Sequence, residues 1–368
     1  ARSLSVDARP LRGGGSGERH VKDVIREGAS AAEIADVQRR LRSLGFEIDD
    51  DADSFGESTR QAVRAFQQQR ALLVDGIVGP QTWSELVGAS WRLGDRILYM
   101  RVPPMRGDDV SQLQRQMNAL GFDSGKEDGI FGPNTDRAVR AFQKEYGVAE
   151  DGMFGPSSQA ALGGLRIDRP GTARPLREEL DRLGHPGVAG ATIVLDPGHG
   201  GDDRGAADAN GRNEATLCWA IAQSLARHLS RAGATVRLTR SGDEELDASE
   251  RARRANELGA DLFISLHLNA HQEAKAKGAS TFYFGGSGAG EALAERIQER
   301  LIELGLDDCR THARSYSLLK ETRMPAVIVE PVFITNPVEA GRLDDETFVD
   351  EIARAIAIGT LGYFDKEA

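Results

Sequence analysis

The sequence predicts a multidomain chain: two small all-α modules of three helices each, followed by an α/β domain whose largely parallel sheet is covered by helices on both faces. Three observations support this fold class. The chain has 368 residues, more than one small core needs. A set of motifs in its first half recurs 76 residues later, as from Leu44 to Leu120. After Gly190, apolar strands alternate with amphipathic helices.

Composition restricts the class of partner. The net charge is -11, whereas a protein whose main partner is nucleic acid needs clustered Lys and Arg to contact phosphates. We therefore expect no nucleic-acid partner. The sequence has no apolar run of about 18 residues, so membrane insertion is not expected either. Cys218 and Cys309 lie in stretches predicted to be helical or helix-flanking and lack the spacing of a zinc knuckle.

Three motifs define the repeat. LGF at Leu44–Phe46 recurs at Leu120–Phe122, AVRAFQ at Ala62–Gln67 recurs at Ala138–Gln143, and DGxxGP at Asp75–Pro80 recurs at Asp151–Pro156. Each copy predicts a helix that ends at the LGF glycine, a second amphipathic helix, and a short third helix after the DGxxGP turn. Phe66 and Phe142 are predicted to pack in the two cores. This progression resembles the peptidoglycan-binding domain family, which implies that both modules bind wall polymer.

Stretches rich in proline, glycine and serine set the predicted domain boundaries. We expect a flexible N-terminal tail over 1–31, a first repeat over 32–90, a connector over 91–107, a second repeat over 108–165, a linker over 166–190 and the α/β domain over 191–368. The linker is predicted to contain one short helical segment.

Four side chains able to bind metal or carry protons fall at strand ends or helix starts of the α/β domain. His199 follows the strand ATIVLD in the glycine-rich stretch DPGHGG, and His267 ends the strand DLFISLH. Glu214 follows Asn213, a favourable N-cap, at the start of a helix. Glu330 interrupts the apolar run AVIVEPVFI, where an unpaired carboxylate is costly to desolvate. Because ligands of such sheets gather beyond the carboxyl ends of strands, we expect these side chains to lie together.

Two histidines and a glutamate form the ligand set of a catalytic zinc site, in which the fourth position is left for water. We expect His199, Glu214 and His267 to hold one Zn²⁺ per chain. A second carboxylate beside such a site can take the proton of the attacking water and return it to the leaving group, and Glu330 fits this role. Each residue alone also has a structural explanation, such as the favourable position of an acid at a helix N-terminus.

The region from Ala191 to Phe364 resembles the zinc-dependent N-acetylmuramoyl-L-alanine amidases of the amidase-3 type. The matching stretches, in family order, are IVLDPGHGG, the pair Asn213-Glu214, RARRANELGADLFISLHLNA and RMPAVIVEPVFITNP. The resemblance implies hydrolysis of the amide between the lactyl group of N-acetylmuramic acid and the L-alanine of the stem peptide. The partners would then be peptidoglycan glycan strands and stem peptides.

By this resemblance, the domain predicted over 191–368 is a zinc amidase catalytic domain. His199, Glu214 and His267 are its metal ligands, and Glu330 is its catalytic glutamate. The repeats would hold the enzyme on its insoluble polymer and raise the effective concentration of substrate.

Other positions follow or depart from the family pattern. Asn269 and Arg251 match it, Asn269 as a candidate substrate-binding residue, although structural hydrogen bonds explain both equally well. His271 is interpreted as an exposed loop residue. The family usually has a glycine before the phenylalanine of its last motif, where this chain has Val332. The shape of the chain beside Glu330 is therefore in question.

Two alternatives to catalysis remain open. Some actinobacterial proteins with this layout resemble non-catalytic regulators of peptidoglycan synthesis, which have degenerate metal ligands and work in the cytoplasm. A wall-binding adaptor is a further alternative. The intact ligand set favours the enzyme, because a regulator has no physical need for two imidazoles and two carboxylates in one cleft. We expect the enzyme to act in the cell envelope, in the wall or periplasm, and the regulator alternative places the protein in the cytoplasm instead.

Overall fold

The computed structural model describes residues 25–26, 29–163 and 187–365. Most of the tail predicted over 1–31 lies outside these ranges, as does the helical segment predicted within the linker over 166–190. The helices in these ranges all fall short of the length and apolar character that a membrane span requires.

The two N-terminal modules have the same order of helices in the part of the chain that the structure describes. The helices of the first module are α1 (Ala31–Ser43), α2 (Glu57–Gln69) and α3 (Pro80–Gly88), and those of the second are α4 (Asp108–Ala119), α5 (Pro133–Glu145) and α6 (Pro156–Gly163). The predicted cores are confirmed: Phe66 is 1% exposed and Phe142 is fully buried. Each ring makes an edge-to-face contact with the phenylalanine of its own LGF motif: Phe66 with Phe46, and Phe142 with Phe122.

The repeated motifs are linked by one buried glutamine in each module. Gln67 Nε2 donates to Asp75 Oδ1 over 2.8 Å, and its Oε1 accepts from the backbone N–H of Gly76. Gln143 makes the same pair of contacts, to Asp151 and Gly152. The amide thus satisfies the polar groups of the DGxxGP turn and holds that turn against the second helix.

The C-terminal domain contains a sheet of six strands and helices on both of its faces, counted over residues 187–365. The strands are β1 (Thr192–Pro197), β2 (Thr235–Leu238), β3 (Leu262–Leu266), β4 (Ala279–Tyr283), β5 (Asp308–Ala313) and β6 (Ala326–Glu330). The helices are α7 (Glu214–Arg231), α8 (Ala248–Glu257), α9 (Gly288–Ile302), α10 (Ser317–Glu321), α11 (Pro337–Arg342) and α12 (Glu346–Phe364).

The strand order is β2-β1-β3-β6-β4-β5. Neighbouring strands are parallel except β4 and β6, which are antiparallel. Helices α7, α9 and α12 cover one face around a large apolar core, and α8 and α10 cover the other face around a smaller one. The predicted fold class, with a largely parallel sheet between two layers of helices, is confirmed.

One strand and one cysteine differ from the prediction. Strand β5 was not predicted, because its sequence DCRTHA is polar and lies at the edge of the sheet, where none of its residues is fully buried. The prediction that Cys309 is helical or helix-flanking is wrong, since this residue lies on β5. Cys218 lies on α7, as predicted, and its side chain is buried.

The parallel strands β1, β3 and β6 lie side by side at the centre of the sheet. Pro197 at the end of β1 is in register with Leu266 at the end of β3, and Leu266 is in register with Val329 of β6. Their carboxyl ends therefore meet at one edge, where the loops that follow them can build a common site.

Candidate metal centre and active site

His199 lies in the loop after β1, in a left-handed backbone conformation with φ of 57°. Two glycines, Gly198 and Gly205, lie so close to the histidine rings that a larger residue would not fit at either position. A Cβ on Gly198 would lie 2.5 Å from the His267 ring, and a Cβ on Gly205 would lie 2.6 Å from His199 Cδ2. The glycines of this stretch therefore leave space that the two imidazoles occupy.

Glu214 is the first residue of α7, and this residue is 4% exposed. The side chain of Asn213 caps the helix by accepting from the backbone N–H of Thr216. The Glu214 carboxylate in turn accepts hydrogen bonds from the backbone N–H groups of Leu268, over 2.9 Å, and Ala206, over 3.0 Å. These bonds fix the carboxylate at the loop edge of the sheet.

The two histidines flank this carboxylate. His199 Nε2 lies 3.1 Å from Glu214 Oε2, and His267 Nδ1 lies 3.0 Å from Glu214 Oε1. The imidazole centroids are 4.9 Å apart. One ligand atom from each of the three residues falls within 4.8 Å of the others. Imidazole nitrogens and a carboxylate oxygen are among the ligands that zinc prefers, so the chemistry of this donor set fits a zinc ion.

The carboxylate of Glu214 is ionised in this arrangement. Burial alone would raise its pKa, but the hydrogen bonds with His199 and His267 and the N–H of Leu268 hold the pKa well below its usual range. For His199, burial lowers the pKa, and the carboxylates of Glu214 and Asp203 more than offset this, so that the pKa is raised. The ionised carboxylate of Glu214 thus places a negative charge between the two imidazoles, which favours a bound cation.

Glu330 is the last residue of β6 and pairs with Ser280 of β4. Burial raises the pKa of Glu330 to about 7, and the negative charge of Glu214 acts in the same direction, whereas His267 and Arg314 oppose it. A carboxyl group with a pKa near neutrality can both accept and return a proton at physiological pH. The structure thus places Glu330 within electrostatic reach of the same site.

Asp203 was not singled out in the sequence, and it contacts His199 directly. Both of its carboxylate oxygens lie 2.9 Å from His199 Nδ1, the ring nitrogen that does not face Glu214. Metal-binding histidines characteristically have such a carboxylate on the second nitrogen, which sets the tautomer and the orientation of the ring. The signal in the sequence was an acid four residues after His199, next to a second acid at Asp202.

Two buried arginines donate hydrogen bonds to backbone carbonyls at the start of the His199 loop. Arg251 donates to Asp196 Oδ1 and the carbonyl of Pro197, each over 2.8 Å, and to the carbonyl of His199 over 2.7 Å. Arg240 donates to the same Pro197 carbonyl over 2.9 Å. Structural hydrogen bonding therefore accounts for Arg251, and Arg240 is a supporting residue that the sequence analysis did not identify.

The remaining candidates lie on the strand extension beyond β3 and β6. Asn269 donates its backbone N–H to the Val332 carbonyl over 2.9 Å and accepts from Ile334 over 2.8 Å. The Val332 side chain is fully buried in the larger core, so the departure from the family glycine is accommodated by packing. His271 is exposed, as predicted. The substrate-binding role of Asn269 stays a prediction.

A cleft of about 430 Å³ lies in the first module, away from this centre. Among its lining residues are Phe55, in the loop before α2, and Asp75, Gly76 and Ile77 of the DGxxGP turn. Arg60 of α2 contributes a cationic side chain to the same cleft. Of the three motifs that define the repeat, the DGxxGP turn therefore contributes to this concave surface.

Two protein families match separate parts of the chain. A family described as N-acetylmuramoyl-L-alanine amidase matches residues 193–361. A family described as putative peptidoglycan binding domain matches residues 30–86 and 106–162. All four candidate metal and catalytic residues fall within the first match.

Individual relatives carry related names. N-acetylmuramoyl-L-alanine amidase CwlM of Mycobacterium tuberculosis is 38% identical over 363 residues, which cover 93% of this chain and 89% of that protein. N-acetylmuramoyl-L-alanine amidase AmiA of Escherichia coli is 34% identical and covers 47% of this chain and 75% of its own length. Among solved structures, an N-acetylmuramoyl-L-alanine amidase from Clostridium difficile 630 is 32% identical over 49% of this chain and 99% of that one, with a TM-score of 0.47.

Proposed function

This chain belongs to the N-acetylmuramoyl-L-alanine amidase family, and from that membership we propose that its amidase activity is zinc-dependent, with His199, Glu214 and His267 as the ligands. The observation that carries the proposal is the convergence of one ligand atom from each of these residues within 4.8 Å. The substrate is the amide between the lactyl group of N-acetylmuramic acid and L-alanine in peptidoglycan.

A bound zinc ion would supply Lewis acidity, which polarises the scissile carbonyl and makes water a stronger nucleophile at neutral pH. Glu330 accepts a proton from the attacking water as the new carbon–oxygen bond forms. It then delivers that proton to the amine nitrogen of L-alanine as the carbon–nitrogen bond breaks. The raised pKa of Glu330, about 7, suits both transfers.

Neighbouring residues fix the orientation of the proposed ligands. The Leu268 and Ala206 N–H groups fix the Glu214 carboxylate, and the Asp203 carboxylate orients the His199 ring. Arg251 ties the His199 backbone to β1. Such a prearranged site loses little energy to side-chain reorganisation during the reaction.

The two repeats bind the wall polymer, and the cleft beside Phe55 and Arg60 is the candidate contact surface in the first of them. We assign the site of action to the cell wall or periplasm, where this polymer lies. A non-catalytic regulator would not require the ligand atoms of two histidines and a glutamate to converge next to Glu330. That convergence supports the enzyme over the regulator.

Product analysis tests the proposal. Purified sacculi incubated with the zinc-loaded protein should release stem peptides whose free N-terminus is L-alanine, and mass spectrometry should find glycan chains with an unsubstituted lactyl group. The same incubation with excess chelator should release neither. Binding to sacculi without release of either product would contradict the proposed function and favour the regulator or adaptor.

A further inference from the structure

Both N-terminal repeats contact one short segment of the amidase domain, Ser315–Thr322, which we call the docking segment and which contains α10. The first repeat reaches its N-terminal end. The backbone N–H of Ser315 donates to the Ala71 carbonyl over 3.0 Å, and Gln81 Nε2 donates to the Ser315 carbonyl over 2.7 Å. These bonds engage both backbone groups of one residue, so they fix its peptide units against the repeat.

Charged side chains extend this contact along α10. Lys320 Nζ lies 2.6 Å from Glu85 Oε1 of the first repeat, and each side chain is only 18% exposed. Lys126 of the second repeat donates to the carbonyls of Thr322, over 2.5 Å, and Leu319, over 3.3 Å. A cation at the carboxyl end of a helix satisfies free carbonyls and interacts favourably with the helix dipole.

The repeats also contact each other next to this segment. Arg70 of the first repeat forms two hydrogen bonds with Asp108 of the second, each of 2.7 Å. Arg106 lies 3.0 Å from Glu321 of the docking segment. The first repeat, the second repeat and the amidase domain therefore meet around α10, and the contacts link all three.

The opposite side of the docking segment packs on the sheet. Leu318 and Leu319 are 6% and 0% exposed and belong to the smaller apolar core, together with Phe282 and Ile328. The Tyr316 ring lies 5.8 Å from the Phe282 ring. A displacement of the segment would have to disturb this core, because protein interiors are closely packed.

The catalytic carboxylate projects from the same face of the sheet. Ile328 and Glu330 are two residues apart on β6, and alternate residues of a strand share a face. Arg314, immediately before the docking segment, lies with its guanidinium 5.8 Å from the Phe282 ring centroid, and its backbone N–H donates to the Tyr283 carbonyl. Its positive charge also lowers the pKa of Glu330, against the larger effect of burial, which raises it.

We propose that docking of the two repeats on Ser315–Thr322 holds Arg314 against the face of the sheet that carries Glu330, so that the repeats determine the turnover of the amidase site as well as its attachment to the wall. This inference rests on the amidase function proposed above. Arg314 is a positioning residue in this scheme. Loss of docking loosens the segment and lets the guanidinium of Arg314 move away from that face.

Reversing the charges of the ion pair between Glu85 of the first repeat and Lys320 of the docking segment tests this coupling in the full-length chain. Glu85→Lys and Lys320→Glu should each lower kcat on a small soluble muropeptide by about tenfold, with a smaller change in KM. The double variant, which restores the pair with reversed charges, should recover most of kcat. Glu85→Gln removes the charge without adding repulsion and should act in the same direction. Unchanged kcat in all three single variants would overturn the proposal.

Arg314 itself distinguishes positioning from folding. Arg314→Lys keeps the charge and should keep most of kcat, whereas Arg314→Ala should lower kcat by about tenfold with little effect on KM. Arg300→Glu disrupts an exposed pair with Glu303 on α9 and should leave kcat unchanged. Equal kcat for Arg314→Ala and the wild type would contradict the positioning role.

Hydrogen exchange separates this inference from the proposed function. In metal-free protein, Glu85→Lys should speed amide exchange in peptides covering 315–322 and 326–330, and the double variant should reverse the change. A wild-type protein without amidase activity would overturn the proposed function. The exchange result would still be expected in that case, because it depends only on contact between the docking segment and the sheet. Exchange that is unchanged over 326–330 would overturn the coupling even in an active enzyme.

Discussion

The imidazoles of His199 and His267 lie with their centroids 4.9 Å apart, although the two residues follow different strands. Parallel pairing of β1 and β3 brings the ends of these strands together. The Glu214 carboxylate lies between the two rings and contacts both. The proposed zinc site therefore depends on the register of the sheet, and nearby residues that support this geometry should affect metal affinity without touching the metal.

Asp203 is one such residue. Asp203→Asn removes the charge that faces His199 Nδ1, so the ring should lose a strong orienting contact and zinc affinity should fall by about 10- to 100-fold. Asp202→Asn, at the exposed neighbouring acid, is the matched control and should bind zinc like the wild type. Competition titration with a chromophoric chelator measures both affinities. Equal affinity in the two variants would show that Asp203 does not orient His199.

Gly205 tests the space around the site. A Cβ at this position would lie 2.6 Å from His199 Cδ2 and 2.7 Å from Glu214 Oε2, so Gly205→Ala should abolish tight zinc binding. Gly211 has a similar left-handed φ of 80°, but a methyl group there would have no atom within 4 Å. Gly211→Ala should therefore cost about 1 kcal/mol of stability and retain zinc. Zinc binding that is equally strong in both variants would contradict the crowding argument.

The ionisation of Glu330 should appear in the stability of the metal-free protein. Burial raises its pKa from 4.5 to about 7 in the folded state, so the folded state binds the proton more tightly than the unfolded state does. This contribution to stability is present at low pH and is lost as the pH rises towards 7. Glu330→Gln has no such loss, so its stability relative to the wild type should increase by about 2 kcal/mol between pH 5 and pH 8.

Urea unfolding in excess chelator measures this difference at the two pH values. Glu299→Gln, at an exposed carboxylate on α9, controls for the loss of one negative charge. A stability difference for Glu330→Gln that is the same at pH 5 and pH 8 would mean that folding does not raise the pKa of this carboxyl.

The sequence was sufficient to predict the elements that bring the candidate site together. His199, His267 and Glu330 stand out because polar side chains follow apolar strands, and those patterns are local. The antiparallel direction of β4 could not be predicted in this way, since an alternating pattern does not encode strand direction. Strand β5 was missed for a related reason: an edge strand with half-exposed polar residues lacks the apolar signal of a buried strand.

Contacts between distant parts of the chain also could not be predicted from the sequence. Asp203 was one of several acids in an exposed loop, and only the fold shows that it contacts the His199 ring. The pair Lys320–Glu85 joins two exposed-looking charges from separate domains. Neither residue has a periodic pattern or motif that identifies its partner, so docking of the repeats on α10 could be found only in the structure.

The most direct test of the zinc amidase proposal compares zinc content and turnover in three variants with the wild type. His267→Ala should lose both zinc and amidase activity, whereas Glu330→Ala should keep zinc at one ion per chain and lose turnover. His228→Ala, at a histidine that contacts Asp350 instead, should keep both. Full zinc content with activity in His267→Ala, or turnover at the wild-type rate in Glu330→Ala, would contradict the account.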